Sequence, residues 1–240
     1  MNPLADIWSL FFPATCVACG CALGEGGDFL CNRCRWEIPL TEFWHKGDNP
    51  VWRKFAGHVP VQAASSFYFF ADRSDFRTLI HDFKYHGAWR VAEKMGEWYG
   101  SELAASQTHE NIDLLVPVPL HVRKKIGRGY NQSDYIARGM SRAMGVPVDR
   151  RAVRRAVHNR SQTQQKHKSE RWDNVKDIFA VRDAAMLDGR HILVVDDVLT
   201  TGATIISLCE TILAAVPTCR ISIATLAVSK AELRTVRRTY

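Results

Sequence analysis

Ile192-Leu193-Val194-Val195-Asp196-Asp197-Val198-Leu199-Thr200-Thr201-Gly202-Ala203-Thr204 is the stretch from which the fold can be read. Four successive apolar residues, three of them β-branched, predict a strand over 191–195 that is buried on both faces. Two adjacent carboxylates end that strand, a turn of hydroxyl residues around Gly202 follows, and Thr204 to Ala215 then carries a helix closed by Pro217. Ligands of open α/β sheets bind beyond the carboxyl ends of the strands. A turn that opens a helix there offers backbone N–H groups with no partner inside the helix. The hydroxyls of Thr200, Thr201 and Thr204 add to them, and together they make a cradle for a monophosphate. Asp196 and Asp197 can accept hydrogen bonds from a vicinal diol. Phosphate donors beside diol acceptors describe a site for a ribose 5-phosphate group, and the plainer reading is a pair of acids that only caps a loop.

Working outward, Val59 to Ala71 is rich in β-formers and 112–116 is a buried-strand run stopped by Pro117. Short strands are expected near Val153 and Val157 and over 178–181, and Ile221 to Val228 is the last strand. Helical spacing appears in Phe76, Leu79, Ile80 and Phe83 of segment 75–85, over 92–105, and over 131–144, where Tyr135, Ile136, Met140 and Ala143 share a face. Strands alternating with helices predict an α/β fold with a parallel sheet. Residues 1–57 are read as a helix, a cysteine module and an aromatic connector, and 58–240 as the α/β domain.

The 240 residues are 46% apolar and 24% charged, which excludes a disordered chain. No apolar run reaches the ~18–20 residues needed to cross a bilayer. Met1 to Asp6 lacks a basic start and a small-residue cleavage site, so a cytoplasmic protein without membrane insertion is expected. The net charge of +7 is uneven. Between His121 and Lys176 fifteen Lys and Arg face four acids, a concentration that suits a polyanionic partner and equally a solvated basic face.

Five of the seven cysteines fall within twenty residues. Cys16-x2-Cys19 and Cys31-x2-Cys34 fit two knuckles closing a tetrahedron around Zn²⁺, with Cys21 able to replace Cys19. The odd count argues against disulfides. A four-thiolate site leaves no open position, so the metal is expected to be structural. Leu4, Ile7, Trp8, Leu10, Phe11 and Phe12 precede the module at helix-like spacing, suited to docking it on the rest.

The 192–204 stretch resembles the phosphoribosyl pyrophosphate (PRPP) loop of type I phosphoribosyltransferases. Val-Val-Asp-Asp also occurs in phosphorelay receiver domains, but near their start and without the Thr-Thr-Gly-Ala-Thr turn. Val116-Pro117-Val118-Pro119-Leu120, Arg123 and Gly127-Arg128-Gly129-Tyr130-Asn131-Gln132-Ser133 resemble the pyrophosphate-loop region of the ComF family, the competence-associated branch of that superfamily. Phe83-Lys84-Tyr85-His86-Gly87 and Glu170-Arg171-Trp172-Asp173-Asn174-Val175 match further segments of that family, which also carries an N-terminal cysteine ribbon. Ser161 to Lys166 aligns less cleanly and lacks the usual leucine.

The resemblance implies a type I phosphoribosyltransferase-like parallel sheet with flanking helices plus a small N-terminal zinc ribbon. It implies PRPP as ligand, Mg²⁺ bound with it, structural Zn²⁺ and an acceptor the sequence does not name. Asp196, Asp197, Arg123 and Arg171 are the expected catalytic residues. Thr200, Thr201, Gly202, Ala203, Thr204, Arg128 and Lys84 are the expected ligand contacts, Lys84 and His86 being equally readable as helix-end residues. The metal ligands are Cys16, Cys19, Cys31 and Cys34, and the basic 158–171 segment resembles a loop that closes over such sites. Two functions follow: a phosphoribosyltransferase, or an accessory protein of DNA uptake that handles single-stranded DNA with other uptake proteins. In the second, Arg154, Arg155 and Lys168 would contact the backbone, Tyr130 and Trp172 would stack on bases, and PRPP would be regulatory.

Overall fold

A computed structural model of the chain describes residues 15–24, 28–70, 76, 79, 89–120, 129–155 and 178–234. Its elements in chain order are α1 (Asn32–Glu37), α2 (Pro50–Ala56), β1 (Val61–Phe70), α3 (Trp89–Ala104), β2 (Leu114–Pro117), α4 (Gln132–Met144), β3 (Val153–Arg155), β4 (Phe179–Val181), β5 (His191–Leu199), α5 (Ala203–Ala215), β6 (Arg220–Ser229) and α6 (Lys230–Arg234). The expected helix over 75–85 lies outside the described residues except for Phe76 and Leu79, both helical and buried.

Four strands form a parallel sheet in the order β1-β6-β5-β2. Its strands are apolar on both faces because both are covered. On one face Leu193, Val195, Ala224 and Leu226 meet Met95 and Tyr99 of α3 and Ile136 and Met140 of α4. On the other, Ile192, Val194, Ile221 and Ile223 meet Ile205, Leu208 and Ile212 of α5 and Val51 and Phe55 of α2. β3 and β4 pair separately as an antiparallel ribbon.

One expectation is corrected. The central strand does not stop at the carboxylates: Asp196 pairs with Thr225, Val198 with Ala227 and Leu199 with Val228, so β5 carries both acids within its last turn of ladder. β6 is long enough to keep pairing, and that neighbour is invisible from the 192–204 sequence.

Candidate functional site

The hydroxyl turn begins one residue past β5. Gly202 has φ +83° and stands at the N-cap of α5 with no side-chain cap. That left-handed conformation favours glycine. A Cβ there would also lie 3.2 Å from the Phe55 ring, which backs the turn. Among the described residues the side-chain hydrogen bond to the first turn is a long one, 3.4 Å from Ala203 N to Thr201 Oγ1. Thr200 and Thr201 are exposed, and Asp196 with Val198 to Ile205 lines a concavity of about 240 Å³. All five expected contacts of the turn, Thr200 to Thr204, are among its lining residues, at a helix N-terminus of the kind whose N–H groups suit an anion.

The carboxylates sit next to it at the base of a larger cleft of about 800 Å³. Asp196 Oδ1 accepts from Ser133 Oγ at 2.9 Å and from Asp197 N at 3.0 Å, while Asp197 Oδ1 accepts from Val198 N at 2.7 Å. Burial, with the charge of Asp197 added, raises the Asp196 pKa to about 7. The Ser133 and Asp197 hydrogen bonds and the Arg155 charge oppose that rise. Above it, Asn131 donates from Nδ2 to Val118 O at 3.1 Å, and Val118 N donates to Val195 O at 2.9 Å, tying the start of α4 and the 118–120 segment to β5. From the sheet side the buried Tyr68 hydroxyl has no hydrogen-bond partner among the described residues. Burial and the nearby Asp197 both raise its pKa.

Arg155 closes another wall. It is half-buried, directly opposite Phe179 in the β3–β4 pairing, with its guanidinium carbon 5.6 Å from that ring's centroid. Arg154, its neighbour, is exposed. The basic stretch placed both in one class, whereas strand alternation sends adjacent residues to opposite faces. Sequence reading assigns Ser133 no role of its own and Arg155 only a contact to a DNA backbone, and both line the cleft.

The thiols converge at the other end of the chain. The sulfurs of Cys16, Cys19, Cys21 and Cys31 lie within 4.8 Å of one another, and Cys34 interacts with Cys16, Cys19 and Cys31. Tetrahedral Zn–S bonds of about 2.3 Å imply an S···S edge of about 3.8 Å, and Cys19 and Cys31 are 3.8 Å apart. Burial of Cys16 opposes its ionisation, but backbone N–H groups at Cys19, Cys31 and Ala18 bring its pKa to about 6. The Cys34 amide likewise lowers that of Cys31. Burial and the neighbouring thiols push Cys34 the other way, and the neighbouring thiols do the same to Cys21; a set of converging thiols, two of them easily ionised, fits zinc.

A family model described as a phosphoribosyl transferase domain matches residues 132–240. Competence protein F of Haemophilus influenzae is 30% identical over 217 residues, covering 81% of this chain and 89% of that protein. The chain belongs to the ComF family of the phosphoribosyltransferase superfamily. DNA utilization protein YhgH of Escherichia coli is 31% identical over 56% of this chain and 60% of its own length. Competence protein ComFC of Bacillus subtilis is 25% identical over 79% and 74%. Of the residues singled out through resemblance to type I phosphoribosyltransferases and the ComF family, Asp196, Asp197, Thr200 and Thr204 line the larger cleft, and 200–204 line the smaller concavity beside it. Lys84, Arg123, Arg128 and Arg171 lie outside the described residues, as does segment 158–171. No helix among the described residues is long and apolar enough to cross a membrane.

Proposed function

We propose that this ComF-family chain binds PRPP together with Mg²⁺ and transfers its phosphoribosyl group to an acceptor, releasing pyrophosphate. The observation that carries this reading is the pair of carboxylates directly beside the uncapped N-terminus of α5. The N–H groups and threonine hydroxyls of that turn hold the 5-phosphate. Asp196 and Asp197 accept from the 2- and 3-hydroxyls and thereby fix the anomeric carbon relative to the nucleophile. As the bond to pyrophosphate breaks, positive charge grows on the sugar, and carboxylates held close to it stabilise that state. An oxygen-only donor set suits Mg²⁺, which would neutralise the leaving pyrophosphate. By family resemblance Lys84, Arg123, Arg128 and Arg171 serve the ligand as well. Calorimetry with PRPP and Mg²⁺ tests the reading. The wild-type chain binds, and Asp197→Asn weakens binding by at least about ten-fold, the worth of a charged hydrogen bond, while the melting temperature holds. Absence of wild-type binding overturns it.

A second reading, contact with single-stranded DNA in DNA uptake, is suggested by the relatives' names and favoured by Trp36. This is the one large apolar residue exposed among the described residues, at 91%, on α1 near the exposed Arg33. An exposed indole beside a cation suits base stacking. Affinity for an oligothymidylate then falls steeply with salt and drops on Trp36→Ala. Salt-independent or absent binding removes this reading.

A further inference from the structure

We infer that Cys21 is the resolving thiol of the thiol module: when a peroxide oxidises the exposed ligand sulfur of Cys19, Cys21 closes a disulfide with it and keeps the damage reversible. The inference stands apart from the transferase reading and rests on zinc held by Cys16, Cys19, Cys31 and Cys34.

A structural zinc site takes four ligands, and the module brings five cysteines. Cys34, buried beside Cys16, Cys19 and Cys31, completes the four, which makes Cys21 the spare. Its sulfur lies 3.3 Å from that of Cys19, nearer than the 3.8 Å between Cys19 and Cys31. The backbone sets this up. Gly20, between the two, has φ +73°, a left-handed conformation that favours glycine. Gly20 N donates to Cys16 O and Cys16 N to Cys21 O, both at 2.8 Å, which closes the knuckle. Two thiols are thus held side by side across a single residue.

Exposure selects the pair. Cys16 and Cys34 are buried and Cys31 is partly so, while Cys19 and Cys21 are exposed. Cys31 Sγ also accepts from Cys34 N at 3.4 Å. Of the four ligands, Cys19 is therefore the one a peroxide reaches first. On zinc it is a thiolate, the nucleophilic form of cysteine. Its sulfur attacks one peroxide oxygen, the O–O bond breaks, hydroxide leaves, and the Zn–S bond gives way to Cys19–SOH. The Cys21 sulfur then attacks the Cys19 sulfur. An S–S bond forms, and the Cys19 hydroxyl leaves as water with the Cys21 proton. The two sulfurs have together given two electrons to the peroxide. Without a resolving thiol a sulfenic acid goes on to the sulfinic and sulfonic acids, which ordinary reductants do not reverse. Reduction of the Cys19–Cys21 disulfide instead returns both thiols, and with them the fourth ligand.

The test treats the purified, zinc-loaded chain with hydrogen peroxide and follows zinc with a chromogenic chelator. Mass spectrometry reads the cysteines of 16–34, with dimedone added to trap sulfenic acid. The wild-type chain is expected to release zinc and to show Cys19 and Cys21 joined, two hydrogens lighter. A phosphine reductant with added Zn²⁺ should then restore most of the metal. Cys21→Ser should hold zinc before treatment and trap dimedone at Cys19. After an exposure long enough to empty the wild-type site it should carry two or three extra oxygens there. Its recovery of zinc should fall at least about ten-fold below wild type, because the higher acids do not return. Zinc missing from untreated Cys21→Ser would make Cys21 a ligand and overturn the inference. A wild-type disulfide from Cys19 to any other cysteine would do the same, as would recovery of Cys21→Ser at the wild-type level. A wild-type chain that holds no zinc removes the zinc assignment and this inference with it, while PRPP binding stands or falls separately.

Discussion

Asp196 connects the site's chemistry to pH. Its ordinary pKa near 3.8 rises to about 7 because the carboxyl is buried and Asp197 is charged beside it, against the pull of Ser133, the Asp197 amide and Arg155. A raised folded-state value means that the folded chain holds the proton more tightly than the unfolded one. The stability this group contributes is therefore present below about pH 4 and lost as pH rises through about 7. Ligand binding runs the other way, since a diol needs the ionised carboxylate as acceptor. PRPP affinity is expected to increase between about pH 6 and 8, with protons released on binding at the lower end. Calorimetry in buffers of different ionisation enthalpy reads that release directly. Asp196→Asn should bind weakly at every pH and release no proton. A wild-type affinity flat across this range would remove Asp196 from the diol contact.

At the scale of elements, the crossing of α3 and α4 sets where Ser133 stands. The helices approach through glycines: a Cβ on Gly139 would lie 1.9 Å from Glu93 O, and one on Gly96 would lie 2.2 Å from Ile136 O. Glu93, buried at the crossing, receives Arg138 Nε at 3.0 Å and an Arg142 guanidinium nitrogen at 2.6 Å. Overpacking a core typically costs about 1–3 kcal/mol, and here the obstacle is backbone that cannot rotate away. Gly139→Ala should therefore lower unfolding stability in urea by about 3 kcal/mol or more, and weaken PRPP binding because α4 carries Ser133. Gly57→Ala, with open space around its Cβ and an ordinary helical conformation, should leave both nearly unchanged. If Gly139→Ala behaves like Gly57→Ala, the close approach is not what holds α4.

These elements also mark how far sequence reading reaches. The apolar face of α4 and the apolar runs of β5 and β6 were legible because burial imposes a period on local sequence. The turn at 200–204 was legible because glycine and hydroxyls in that order have few structural alternatives. Glu93 was not, since a charge at a helix crossing looks like a solvated position until its two arginines arrive from another helix. The extra length of β5 depends on β6, and the inward turn of Arg155 depends on a partner strand more than twenty residues away. Each of these misses is a tertiary pairing, set by residues outside the window being read.

For the whole molecule, the thiol module and the α/β domain share one buried cluster. Cys16, Phe29, Leu30, Cys34 and Ile38 pack into the same core as Trp44, Phe67, Tyr99 and Leu193. Thr41 extends the join, its N–H donating to Phe67 O at 2.9 Å and its hydroxyl to Ser66 O. Metal that orders the thiols therefore supports the face of the sheet on which α3 and α4 rest. The purified chain is expected to hold about one Zn²⁺, and a chelator should lower the melting temperature of a single transition by on the order of 10 °C, as loss of a few kcal/mol does in a chain this size. Cys31→Ser should reproduce that shift without chelator. Cys21→Ser should keep the metal, because Cys34 is buried and interacts with the remaining three thiols whereas Cys21 is exposed. Two separate transitions, with the second unmoved when zinc is removed, would mean that the module folds apart from the sheet. The zinc would then have no mechanical path to the carboxylates of β5.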